Sequence, residues 1–145
     1  MKISTKGRYA IKMLIDLAEH KDEGFIALKD IAKRQNISKK YLEQIVSLLN
    51  RAGMFNINRG YQGGYKLARS ADNYSIGEIL RLTEGSLAPV SCLEQDENMC
   101  EKCSYCPTLF IWEGLNEVTT QYLNGITLQD ILNHKQDIDN FDYVI

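Results

Sequence analysis

The sequence predicts a mostly α-helical protein with a small β-hairpin wing: a winged helix-turn-helix region followed by a long dimerisation helix. Three observations carry that prediction. Apolar residues recur at helical spacing in three successive segments of the first 51 residues, with a tight turn between the second and third. The period then changes to alternation on either side of a glycine-rich tip. After an unpatterned stretch, a broad apolar stripe returns at helical spacing near residues 108–123.

Each element has a local reason. Ser4 or Thr5 can cap a first helix whose inner face is Ala10, Met13, Leu14, Leu17 and Ala18, and the run Lys21 to Gly24 ends it. Ala27 and Leu28 open a short second helix with Ile31 and Ala32 inward. Asn36-Ile37-Ser38 forms a turn, and Ser38 caps a third helix from about Lys39 to about Arg51. Its inner face is Tyr41, Leu42, Ile45, Leu48 and Leu49, and Gly53 sits where a helix-ending glycine belongs. Phe55, Ile57 and Arg59 alternate outward, and Tyr65 and Leu67 return, with Gly60, Gly63 and Gly64 between them. Ser75 and Glu78 form a capping box for a short helix carrying Ile76, Ile79 and Leu80, closed by Gly85 and Pro89.

The remainder divides by pattern. Residues 1–85 read as the DNA-binding region, 86–107 as a cysteine-rich loop, 108–135 as the dimerisation helix plus a short last helix capped by Thr127, and 136–145 as an acidic tail. The long helix carries Leu109, Trp112, Leu115, Val118, Tyr122 and Leu123, and Gly125 stops it.

Composition narrows the function classes. A chain of 145 residues, 44% apolar and 25% charged, is long enough for one hydrophobic core and excludes global disorder. No apolar run approaches the ~20 residues that span a bilayer. The basic N-terminus is interrupted by Lys12 and Asp16 and does not read as a signal peptide, so the expected compartment is the cytoplasm. The net charge of −2 conceals an asymmetry. Residues 1–70 hold nine Lys, five Arg and six acidic residues, a net of +8; residues 71–145 hold three basic and thirteen acidic, a net of −10. A basic front half suggests a nucleic-acid-facing region. No phosphate loop, HExxH or serine elbow occurs, and His20 and His134 stand alone, so no enzyme is expected.

The third helix leaves Lys39, Lys40, Glu43, Gln44, Ser47, Asn50 and Arg51 outside. Such side chains hydrogen-bond base edges from a major groove, while Lys and Arg supply the phosphate attraction that dominates affinity. Glu43 repels phosphate and helps only by accepting from a cytosine amino group or excluding a wrong sequence. In the wing, Arg59, Gly60 and Tyr61 lead the tip, where Arg59 can enter a minor groove.

All four cysteines fall within fifteen residues: Cys92, Cys100, Cys103 and Cys106, spaced C-x7-C-x2-C-x2-C. In a cytosolic protein such a group suits a metal or cluster better than disulfides. The run from Cys100 to Pro107 echoes the three-cysteine motif of bacterial ferredoxins. An iron–sulfur cluster leads the readings. Structural zinc, a thiol switch and cysteines without function are the others. Zinc sites usually separate two C-x2-C pairs by a long gap, which this sequence lacks.

Four motifs in order carry a family resemblance: Ser4 to Ala10; Ile37-Ser38 with Tyr41-Leu42-Glu43-Gln44; Arg59-Gly60 with Gly63-Gly64-Tyr65; and Leu87-Ala88-Pro89-Val90 before a cysteine. To about Leu132 the chain resembles the IscR/NsrR/CymR family of bacterial transcriptional regulators, most of all its cluster-binding branch. The resemblance implies a homodimer on palindromic double-stranded DNA, no membrane association, and repression as the usual outcome. It implies recognition contacts at Ser38, Lys40, Glu43 and Gln44, a wing contact at Arg59, and a dimer helix with Trp112, Leu115, Val118 and Tyr122. In the cluster-binding branch, the residue matching Glu43 tunes selection between two operator classes with cluster occupancy. Cys92, Cys100 and Cys106 match the three cluster cysteines. The branch has a histidine ligand where this chain has Leu109, and other relatives have an acidic ligand where it has Arg8. Cys103 is additional and is expected to replace the missing ligand, giving a 2Fe–2S or 4Fe–4S centre. The alternative within the family is a cluster-free regulator of cysteine or sulfur metabolism acting through a thiol switch, zinc or a protein partner.

Overall fold

The computed structural model of the protein describes residues 1–142. Its α-helices are α1 (Thr5–Glu19), α2 (Leu28–Gln35), α3 (Lys39–Arg51), α4 (Ile76–Glu84), α5 (Leu109–Asn124) and α6 (Leu128–Asp142). The strands β1 (Phe55–Asn58) and β2 (Gly64–Leu67) pair antiparallel, with Phe55 opposite Leu67 and Asn58 opposite Gly64. Helix, helix, turn, helix and hairpin follow in the expected order.

One core joins α1, α2, α3, α4 and the base of the wing, through Met13, Leu14, Ile31, Leu42, Ile45, Leu49, Met54 and Ile79, all fully buried. α1 is anchored from α4: the Glu84 carboxylate accepts from the Ser4 backbone N–H at 3.1 Å and the Ser4 hydroxyl at 2.6 Å, and Ser4 caps the Gly7 N–H. A carboxylate at a helix N-terminus also opposes the positive end of the helix dipole. A Cβ at Gly7 would meet that Glu84 carboxylate and push it from its place at Ser4.

Asp16 is the buried charge of this core, fully out of water. Arg34 grips it with two bonds of 3.0 and 2.7 Å, and Gln35 adds a third at 3.0 Å. These bonds tie the last turn of α2 to α1. The adjoining corner is a helix-ending motif: Asn36 sits at φ 52° and the Ile37 N–H reaches the Ala32 carbonyl at 3.0 Å. Ile37 is buried, and Ser38 then caps α3 by accepting from the Tyr41 N–H. The direction in which α3 leaves the body is thereby held from both sides.

The wing is fixed by two devices absent from the sequence pattern. Ile26 pairs with Tyr65 through bonds of 2.9 and 2.8 Å, adding a third backbone to the hairpin, and a Cβ on Gly64 would collide with Ile26. Tyr74 is fully buried; its hydroxyl donates to the Met54 carbonyl and accepts from the N–H groups of Ala68 and Arg69. Replacing it by Phe removes the acceptor of the Arg69 N–H and the hydroxyl's bonds to Met54 and Ala68, whose carbonyl and N–H keep only each other at 3.4 Å. Tyr74→Phe is expected to cost about 1–3 kcal/mol, read as a lower urea midpoint with an unchanged slope.

Two local expectations are corrected. On α3, Val46 is buried and Leu48 only half-buried. The last helix is not short: α6 continues to Asp142, through residues expected to begin a tail. Thr127 and Asp130 cap it reciprocally, Lys135 bonds Glu19 of α1 at 2.7 Å, and no Gly or Pro follows Gly125 to stop it. The rest of the expected tail, residues 143–145, lies outside the described residues. No helix is long and apolar enough to cross a membrane among the described residues.

Candidate functional site

α3 and the wing flank a common groove of about 570 Å³, lined by Lys29, Lys39, Glu43, Ser47, Asn50 and Arg59 among others. Ser38, Lys40 and Gln44 lie exposed on the same helix or its cap. The wing tip projects beyond them. Gly60 has φ 128° and Gln62 φ 60°, left-handed values that turn the chain tightly and leave Tyr61 95% exposed. Every residue expected to contact DNA is therefore at the surface, and an exposed aromatic ring beside an arginine suits a sugar-phosphate wall. Lys39 and Lys40 occupy the first turn of α3, where helix N–H groups also favour an anion.

The cysteine segment has a different character. Between Leu87 and Leu128 no residue is buried, so the loop and α5 lie outside the core. Short 3-10 turns at Ser91–Leu93 and Cys103–Tyr105 give the loop its local order. All four thiols are free and half-buried. Cys92 and Cys100 share the wall of a hollow of about 260 Å³. Cys103 opens the second turn, and Cys106 stands just before α5. Among the described residues, no three His, Cys, Asp or Glu side chains gather as metal ligands. The Cys106 sulfur lies 3.6 Å from the Thr108 hydroxyl. Hydrogen bonds from that hydroxyl and from the Thr108 and Leu109 N–H groups hold the Cys106 thiol below its ordinary pKa. A thiolate is the ligating and reactive form, and these bonds favour it at Cys106.

Four cysteines in one loop are the donor type that an iron–sulfur cluster takes, although no three of them gather among the described residues. Four thiolates supply a full cysteine complement. A buried amide nitrogen, Asn98 Nδ2, lies without an acceptor in the same segment.

α5 buries no residue in its own chain. Leu109, Trp112 and Leu123 are half-buried, whereas Leu115, Val118 and Tyr122 are exposed, as are Phe110 and Ile111. Val118 is 65% and Tyr122 67% exposed, so this stripe does not complete the core of one chain. Gly114 faces open space: among the described residues, a Cβ there would meet no atom of another element within 4 Å.

Residues that the sequence pattern does not single out act through other residues. Asp16, Arg34 and Gln35 set the angle of α2, and Ile26 and Tyr74 hold the wing. The lone acid on the apolar face of α1 is the available signal for the first group. Nothing local marks the second.

Residues 3–134 match the family described as Rrf2, iron-dependent transcriptional regulator. The HTH-type transcriptional regulator IscR of Pectobacterium carotovorum is 37% identical over 142 residues, covering 98% of this chain and 85% of that one. Among solved structures, T. potens IscR superposes with a TM-score of 0.74 at 36% identity, covering 95% of this chain and 90% of that one. CymR, described as the global cysteine regulator of B. subtilis, gives a TM-score of 0.75 at 36% identity, covering 92% and 98%.

Proposed function

The chain belongs to the Rrf2 family of transcriptional regulators, a non-enzymatic family, and we propose that it binds a palindromic operator as a homodimer under control of an iron–sulfur cluster. The observation that carries this reading is the combination of two features. A polar recognition helix and a basic wing flank one groove. Four free thiols lie in the single loop that joins α4 to α5.

In this reading Lys39, Lys40 and Arg59 supply phosphate attraction, and Ser38, Glu43 and Gln44 read or exclude bases. Gly60 and Tyr61 bring the wing backbone and ring to the adjacent groove. Trp112, Leu115, Val118 and Tyr122 meet their copies across the two-fold axis. A glycine inside a helix costs about 1 kcal/mol relative to alanine, and Gly114 on α5 is consistent with close approach of a partner helix. One winged helix reads few base pairs, and two half-sites double the readout.

Cys92, Cys100 and Cys106 would hold the cluster, with Cys103 in place of the ligand that Leu109 and Arg8 cannot provide. When bound, the cluster supplies a covalent cross-link within the loop and a centre sensitive to oxidants. With no buried residue to resist it, the loop can close its four sulfurs around such a group. Freeing the loop alters how α5 sits against the winged region, and half-site spacing makes operator affinity depend on that geometry. As no membrane-spanning helix occurs among the described residues and the relatives are transcriptional regulators, the expected site of action is the cytoplasm.

A second reading has its own support. No three of the thiols gather among the described residues, and the chain is as similar to CymR as to IscR. In that reading Cys106, with its lowered pKa, is the thiol of a redox switch, or else zinc or a protein partner takes the regulatory part.

Anaerobic purification with iron, sulfide and zinc measured per chain separates the two. The cluster reading expects a coloured protein whose iron is lost in Cys92→Ser, Cys100→Ser, Cys103→Ser and Cys106→Ser. It also expects operator fragments, selected from random DNA, to bind holo and apo protein differently. A colourless protein that resists reconstitution, or equal affinity of both forms for every operator, overturns it.

A further inference from the structure

α5 is attached to the winged region at one end. Of its apolar side chains, Leu123 in the last turn packs against the core, while Leu109 and Trp112, half-buried nearer the cysteine loop, do not. Among the described residues, no hydrogen bond or ion pair joins residues 89–123 to α1–α4 or the wing. The bonds begin at Asn124. Its Oδ1 accepts from Arg81 Nη2 of α4 at 2.7 Å. The same oxygen is seated over Gly77, a buried glycine of α4, where a Cβ would meet it. The chain then turns into α6 against the start of α4. The Ile76 N–H donates to the Ile126 carbonyl at 2.8 Å, and the Leu128 N–H to the Tyr74 carbonyl at 3.1 Å. Tyr74 is also the residue whose hydroxyl holds the wing. At its opposite end α5 continues the cysteine loop, whose own anchor in the core is Leu87.

A rod held in this way turns about its held end. α5 has 16 residues, about 24 Å at 1.5 Å per residue, so a loop movement of about 2 Å tilts it by about 5°. We propose that Asn124, with Gly77 and Arg81, is the fulcrum of α5: these positioning residues fix the angle between the dimer helix and the winged region, and the cysteine loop moves the free end. The inference rests on the reading of α5 as the dimer helix and not on what the thiols bind. In a two-fold pair the angle at each fulcrum sets the separation of the two α3 helices, and an operator reads that separation as half-site spacing.

The test uses the full-length dimer and operators that it selects from random DNA. Each operator is remade with its half-sites one base pair closer or farther, and affinity is titrated at fixed salt. The readout is the ratio of affinities for the selected and the altered spacing. In Asn124→Ala and Gly77→Ala that ratio is expected to fall about fivefold, the equivalent of one hydrogen bond. Asn124→Asp, which keeps the acceptor for Arg81, is expected to retain the wild-type ratio. A purely structural role lowers affinity at every spacing alike. An unchanged ratio in all three variants therefore overturns the proposal, as does an equal fall in Asn124→Asp. If Gly77→Ala does not fold, the exposed Asn124 provides the measurement. The free end is tested by amide hydrogen exchange on iron-free protein before and after alkylation of the four thiols. Exchange is expected to change across residues 109–118 and not at 124–128. Changes of equal size at both ends, or none at either, overturn the lever. A wild type that sediments as a monomer, or selects no operator, overturns the dimer reading and this proposal with it.

Discussion

Replacing Val118 and Tyr122 together by glutamate is expected to yield a folded monomer whose operator affinity falls by about 10²–10⁴-fold. Both side chains are exposed and one helical turn apart on α5, a helix with no fully buried residue in its own chain. The substitution therefore removes little packing from the monomer, and helical content by circular dichroism should be unchanged. Across a two-fold axis each glutamate faces its own copy or a near neighbour, and like charges at a desolvated contact oppose association. Two linked winged regions engage the second half-site at high effective concentration, and a monomer loses that advantage. Sedimentation equilibrium and operator titration at matched salt provide the check. A variant that still sediments as a dimer places the interface elsewhere.

The second large effect is expected from Arg34→Ala. The substitution leaves the Asp16 carboxylate fully buried with Gln35 as its remaining side-chain donor. Breaking one side of a buried ion pair typically costs about 3–5 kcal/mol. The Arg34 side chain is 37% exposed, so water screens part of the pair, and about 2–3 kcal/mol is expected. Asp16 and the neighbouring helices hold the guanidinium strongly protonated, its pKa raised first by the hydrogen bond to Asp16, so the lost partner is a full charge. The same change loosens the end of α2 from α1, one turn before the corner that aims α3. Denaturant unfolding should show the loss of stability. Operator affinity measured well below the unfolding transition should fall as well, whereas Tyr74→Phe should affect the wing side. Arg34→Lys, which retains charge but not the two-pronged geometry, should recover only part of the stability.

Much of this protein is legible residue by residue. The first three helices, the hairpin and α4 follow from apolar spacing, Ser caps and glycine positions, each a local rule. The exposed polar face of α3 follows by subtraction, because the residues left off the apolar face lie at the surface. The cysteine spacing marks the loop at 92–106 as a chemical segment. The length of α6 is not legible, since Leu128 is its buried residue, Ile131, Leu132, Ile138 and Phe141 make a thin apolar pattern, and its middle is tied to α1 by the long-range surface pair Lys135–Glu19.

What the sequence by itself determined is the order of elements, the polar residues on the outer face of α3, and a set of four thiols in one loop. Those depend on identity and spacing along the chain. Tertiary structure decided which of them are held and which are free. Asp16, by pattern a break in an apolar run, became the clamp of the helix-turn-helix only when Arg34, eighteen residues away, was folded against it. Tyr74 became the pin of the wing through Met54, Ala68 and Arg69. The α5 stripe, equally suited by pattern to a core or to an interface, was left facing outward. Burial and hydrogen-bond satisfaction are properties of neighbours distant in the chain, and no local spacing encodes them.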